Sequence, residues 1–176
     1  MRALAVLLFL LHGSFAAGAA QSPVTLKSSL LEQLRTTHTQ QDWFVPLKPA
    51  LEGVTSAQAT WKPPGGDHSI GQLANHLLFW NSRYLAKFKH LPEATDGGNN
   101  DETFNAFDAA RWDETRQKLD RVLSELEKLV SEADTRTLES WAPTLGRIAT
   151  HNAYHGGQIL LLRKMQGAWD PAKGVK

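Results

Sequence analysis

His151-Asn152-Ala153-Tyr154-His155-Gly156-Gly157-Gln158-Ile159 places two imidazoles four residues apart inside an apolar run that also carries Ile148 and Leu162. At 3.6 residues per turn, positions 151 and 155 share one helical face. The same face bears the isoleucines and Leu162, so it should turn inward, where an unpartnered imidazole costs free energy. Either a metal ion or a hydrogen-bond network satisfies both rings, and the spacing leaves the two open. With seven histidines in 176 residues, chance alone supplies such a pair with an expectation of about 0.3. The stretch therefore gains meaning only from what the rest of the chain brings to it.

Working outward, Pro143 and Thr144 are expected to open this last helix and Gly167 to stop it. Upstream, Leu119, Val122, Leu123, Leu126, Leu129 and Val130 form an apolar stripe with charges opposite, which predicts a helix from about Trp112 to Ala133. Ser69 and Gln72 have the form of a capping box. It follows the proline and glycine loop Trp61 to His68 and starts a helix with Ile70, Leu73, Leu77, Trp80, Tyr84 and Phe88 inward. Before the loop, Leu30, Leu31, Leu34, His38, Gln41, Phe44 and Val45 recur at helical steps between Thr25 and Leu51, with Pro46 and Pro49 predicting a kink or an end near Phe44. Pro92 to Asp101 is polar and reads as the longest loop. No strand pattern of comparable strength occurs. The expectation is an all-α four-helix bundle with helices of about 20 to 25 residues, a fold that builds metal sites from facing helices.

His76 is the third candidate ligand, on the inner side of the second helix. It lies about two turns from that helix's start, as His151 does from its own, so parallel neighbouring helices would set them level. Three neutral imidazoles bind a divalent transition metal, zinc or nickel first, and leave coordination open for water or substrate. Without a charged ligand the ion keeps its full charge and lowers the pKa of bound water. Zincin proteases carry Glu after the first His, whereas here Asn152 follows His151, which disfavours that chemistry. A proton acceptor must come from elsewhere. His38 is the candidate catalytic residue, against the alternative of a satisfied bundle histidine. His68 and His90 read as surface residues. Gln158 could bond an imidazole nitrogen, Trp80 could wall a cavity, and Gly156-Gly157 asks for a close-packed neighbour, since two mid-helix glycines cost about 2 kcal/mol.

Met1-Arg2, the apolar run Ala3 to Leu11 and the small residues Ala16 to Ala20 match a secretory signal. Residues 1–20 are expected to be removed, leaving 21–176 as one domain, exported to a periplasm or beyond. The competing reading is an uncleaved anchor, but the run is short of the roughly 20 residues that span a bilayer. The chain has no cysteine, so disulfides, thiolate nucleophiles and thiolate ligands are excluded. A net charge of +1 without a basic cluster argues against nucleic acid as a partner. The expected partner is a small-molecule substrate, and a homodimer is compatible with the sequence.

The segment from Trp61-Lys62-Pro63-Pro64-Gly65-Gly66-Asp67-His68 through Ser69-Ile70-Gly71-Gln72-Leu73-Ala74-Asn75-His76-Leu77, taken with His151 to Ile159, resembles the DinB-like superfamily over essentially the whole mature chain. The resemblance implies an up-down-down-up four-helix bundle and a metal triad at His76, His151 and His155. It also implies an activity among metal-dependent hydrolases, low-molecular-weight thiol S-transferases, maleylpyruvate isomerases or sulfoxide synthase domains. The thiol-using activities suit a cytoplasmic protein, which the signal-like N-terminus opposes. Metal-dependent hydrolysis or group transfer then leads. A non-catalytic metal- or ligand-binding module is the alternative from another class.

Overall fold

The computed structural model describes residues 23–92 and 99–174; the signal-like segment lies outside the described residues. Seven α-helices occur among them: α1 (Leu26–His38), α2 (Leu47–Leu51), α3 (Ser56–Thr60), α4 (Ile70–Phe88), α5 (Asn100–Asn105), α6 (Trp112–Glu132) and α7 (Thr135–Met165). The four long ones make the bundle. Their lengths of 13, 19, 21 and 31 residues are far less even than expected.

Two departures from the sequence expectation have the same cause, the context of a proline. The first helix ends at His38 rather than near Phe44. Pro46 then caps a new short helix, α2, and Pro49 sits in its first turn, where the amide hydrogens have no intrahelical partner and a missing one costs nothing. Leu47, Ala50 and Leu51 of α2 are buried. At the other end, α7 starts at Thr135 and not at Pro143, because Asp134 caps it by accepting from the Thr137 amide at 2.7 Å. Pro143 is interior but exposed. Leu138, Leu145 and Ile148 are buried on either side of it, so packing carries the helix through a residue whose interior placement costs about 3 kcal/mol. The polar stretch read as a loop contains the start of α5, capped by the Asn99 side chain.

Pair contacts give the helix directions. Lys27 donates to the Ser131 carbonyl at 3.0 Å and His38 meets Asp120 at 2.9 Å, so α1 and α6 are antiparallel. The ring of Phe107, just before α6, covers Gly71 so closely that a Cβ there would overlap it, and Lys89 meets Glu125 at 2.6 Å, so α4 and α6 run parallel. His76 meets His151 at 3.0 Å while Phe88 packs on Trp141 with ring centroids 4.8 Å apart, so α4 and α7 are antiparallel. Taken together, α1, α4, α6 and α7 run up, down, down and up.

The core falls into two apolar clusters. One joins Leu30 and Leu34 of α1 to Val130, Leu138, Leu145 and Ile148. The larger gathers α2, α3, α4, α6 and the end of α7 around Leu47, Ile70, Leu77, Leu119 and Ile159. Along α7 the clusters meet between Ile148 and Ile159, and His151 and His155 fall at that junction.

Candidate metal centre

The capping box expected at Ser69 and Gln72 is present, and it places His76 on the second turn of α4. From the facing helix come His151 and His155. Because α7 starts eight residues earlier than the proline suggested, His151 lies in its middle, and the antiparallel run of α4 brings the rings level. The parallel pairing expected from equal depths is thus replaced by an antiparallel one. A buried amide pair fixes the register: Asn81 donates to Asn152 at 2.8 Å and Asn152 donates back at 3.3 Å. Both residues are at most 1% exposed. The residue that stands where a zincin has its glutamate therefore ties two helices together.

The three imidazoles form a near-equilateral triangle, with ring centroids 5.0, 4.8 and 4.6 Å apart. Each offers one nitrogen, all within 4.8 Å of one another. His76 Nε2 and His151 Nε2 are 3.0 Å apart, near the roughly 3.4 Å edge expected between nitrogens on a tetrahedral ion at 2.0–2.1 Å.

Hydrogen bonds orient the rings. Thr103 Oγ1 donates to the Asn100 carbonyl at 2.5 Å and so accepts from His76 Nδ1–H at 2.6 Å. His155 Nδ1–H donates to Gln158 Oε1 at 2.6 Å. Both rings thereby keep the Nε2 lone pair for the centre of the triangle, the tautomer a metal requires. Against the lone pair of His76, His151 Nε2 must carry the hydrogen; an ion held there would take the place of that proton. Burial, followed by His155, His151 and His68, lowers the pKa of His76 from 6.5 to about 3. Burial and His155 lower that of His151 to about 4. Burial lowers His155 as well, partly opposed by Gln158. The triad is neutral at pH 7 and ready to ligate. A donor set of three neutral imidazoles fits a divalent transition metal.

Beside the triad opens a cavity of about 470 Å³, also lined by Trp80, Asn81, Tyr84, Asn100, Phe104, Arg147 and Ile148. Trp80 is thus a wall of it. Phe104 lies between two histidines, stacked on His76 at 4.0 Å and on His68 at 3.9 Å. His68 is half-buried by this contact, contrary to its reading as a surface residue, and its Nδ1 is buried without a hydrogen-bond partner. His90 is exposed. Thr103 and Phe104 were missed because they follow a stretch that looks like loop; Asn99, a residue type that favours helix N-caps, was the sequence's one hint of α5.

His38 lies elsewhere. Its ring is buried between Glu127 at 2.6 Å and Asp120 at 2.9 Å, lining a separate cavity of about 60 Å³ with Lys48 and Leu123. Two carboxylates hold both ring nitrogens, and the side chain does not reach the triad cavity. At Gly156 an added Cβ would stand 3.5 Å from Leu47, an ordinary contact, and Gly157 faces open space. A side chain would fit at both positions, so the close approach to the metal side that the two glycines led one to expect does not occur.

A family model described as the DinB superfamily matches residues 46–159, about two thirds of the chain. The comparisons with curated proteins and with solved structures found no match.

Proposed function

The chain belongs to the DinB superfamily, and from that premise we propose that it holds a divalent transition metal on His76, His151 and His155 and acts on a small molecule in the adjoining cavity, by hydrolysis or group transfer. The observation that carries this reading is the convergence of three neutral, buried or half-buried imidazoles on one point at the wall of a cavity. A bound ion would supply Lewis acidity there. The protein's own part is orientation: Thr103 and Gln158 hold two rings, the Asn81–Asn152 pair holds the helices, and Trp80, Phe104 and Ile148 keep the walls apolar. Among the described residues no carboxylate lines the cavity, so the proton acceptor of a glutamate-dependent protease has no counterpart. The cavity favours a site reached by substrate over a closed storage site. A thiol-dependent transfer reading would place the protein in a cytoplasm; the pattern of residues 1–20 favours export instead.

A substrate screen against metal-stripped and metal-reloaded protein tests the proposal. Turnover should vanish on stripping, return on reloading and be absent from His155→Ala. Turnover indifferent to stripping would refute it.

A further inference from the structure

We propose that the cavity takes a small organic anion, a carboxylate or phosphate monoester with an apolar body, and that Arg147 binds its charged end. The proposal rests on reading this cavity as the substrate site and names the substrate's class.

Charge is the first argument. Of the ten described residues lining the cavity, Arg147 is the one lysine or arginine and none is an aspartate or glutamate. Its neighbours one turn away on α7, Pro143, Thr144, Thr150 and His151, include no carboxylate. No described carboxylate pairs with it, whereas Arg35, Arg111 and Arg116 each have one within 4 Å. A guanidinium at a cavity wall with no internal counter-charge is a fork for an oxyanion, which it can bind with two parallel hydrogen bonds. A divalent ion on three neutral ligands would add positive charge and no counter-charge.

Placement is the second. Arg147 precedes His151 by four residues, about 6 Å along the helix. In the antiparallel pairing it stands near the level of Tyr84, while His151 stands opposite His76. The cavity therefore has a cationic end and a ligating end on one wall. Trp80 and Tyr84, with ring centroids 6.3 Å apart, and Ile148 line the space between. Those side chains suit an apolar or flat body.

Benzoate and phenyl phosphate serve as probes, with benzamide as the uncharged control, in ligand-observed NMR titrations of the full chain in stripped and zinc-loaded forms. Either anion should bind more tightly than benzamide in both forms; the stronger of the two identifies the oxyanion. Arg147→Gln should weaken anion binding about tenfold or more, with Arg147→Lys between, while zinc stoichiometry stays that of the unmutated protein. Equal affinity in Arg147→Gln, benzamide binding as well as the anions, or no binding of either anion would overturn the inference. Arg147-dependent binding in a protein that takes up no zinc would refute the metal site and leave this inference standing. Zinc uptake with anion binding indifferent to Arg147 would do the reverse.

Discussion

Thr103→Val removes one atom's worth of chemistry from the site and nearly none of its volume. Thr103 is 3% exposed, and its hydroxyl accepts from His76 Nδ1–H while donating to the Asn100 carbonyl. With a methyl in its place, the proton of His76 is better placed on Nε2, where it can be given to His151. Metal binding must then return it to a buried Nδ1 that has no acceptor. Leaving a buried donor unpaired costs about 1–3 kcal/mol, which is about 5- to 150-fold in metal affinity, and the loss of groups that orient a ligating histidine is typically about 10- to 100-fold. The assay is competition for zinc against a chromophoric chelator at neutral pH. Thr103→Val should fall in that range, and Thr103→Ser, which keeps the hydroxyl, should stay near the unmutated protein. Equal affinities for Val and the parent, or Ser as weak as Val, would refute the claim that this bond sets the tautomer.

Three further outcomes are expected. The pKa values of His76 and His151 are lowered from 6.5 to about 3 and about 4, so the unfolded chain binds more protons between those limits. The metal-free protein should therefore have this part of its stability in full above about pH 6.5 and lose it progressively toward pH 3; melting temperatures of a His76→Gln, His151→Gln variant should show a flatter dependence over that window. Asn81→Ala leaves the buried Asn152 amide without its partner, and Asn152→Ala leaves the Asn81 amide oxygen without a donor while its nitrogen keeps the Leu77 carbonyl; each should cost about 1–3 kcal/mol in denaturant unfolding, with the double variant costing less than the sum, and strict additivity would contradict the pair's role. His38→Leu removes the partner that Asp120 and Glu127 share, while Lys48 and Arg35 still reach them at 3.1 and 3.9 Å; it should destabilise by about 1–3 kcal/mol without changing metal stoichiometry, whereas loss of metal in that variant would return His38 to the site.

Periodicity and caps made much of the bundle legible. The stripe of α6, the Ser69 capping box and the stop at Gly167, whose φ is +63°, needed only local physics. Prolines misled where local rules have two outcomes. Pro143 looked like a helix start because its missing amide is harmless there, yet buried Leu138 and Leu145 hold the helix on both sides of it. Pro46 and Pro49 looked like defects in one helix and instead begin another. Helix direction was not legible, since equal depth from two starts suits a parallel pair as readily as the mistaken start at Pro143 concealed an antiparallel one. The three histidines of the candidate site stood out because histidine is rare on an apolar stripe, and the same criterion also picked His38, whose carboxylate partners Asp120 and Glu127 lie 82 and 89 residues further along the chain. Thr103, Phe104 and His68 reach the site through tertiary contact alone.

The most direct test is elemental analysis of the purified full chain, before and after reconstitution with zinc or nickel, beside His155→Ala. The account predicts one divalent transition metal ion per chain in the unmutated protein and none retained by the variant. A reconstituted protein that holds no stoichiometric metal, or a His155→Ala variant that holds as much as its parent, would contradict it.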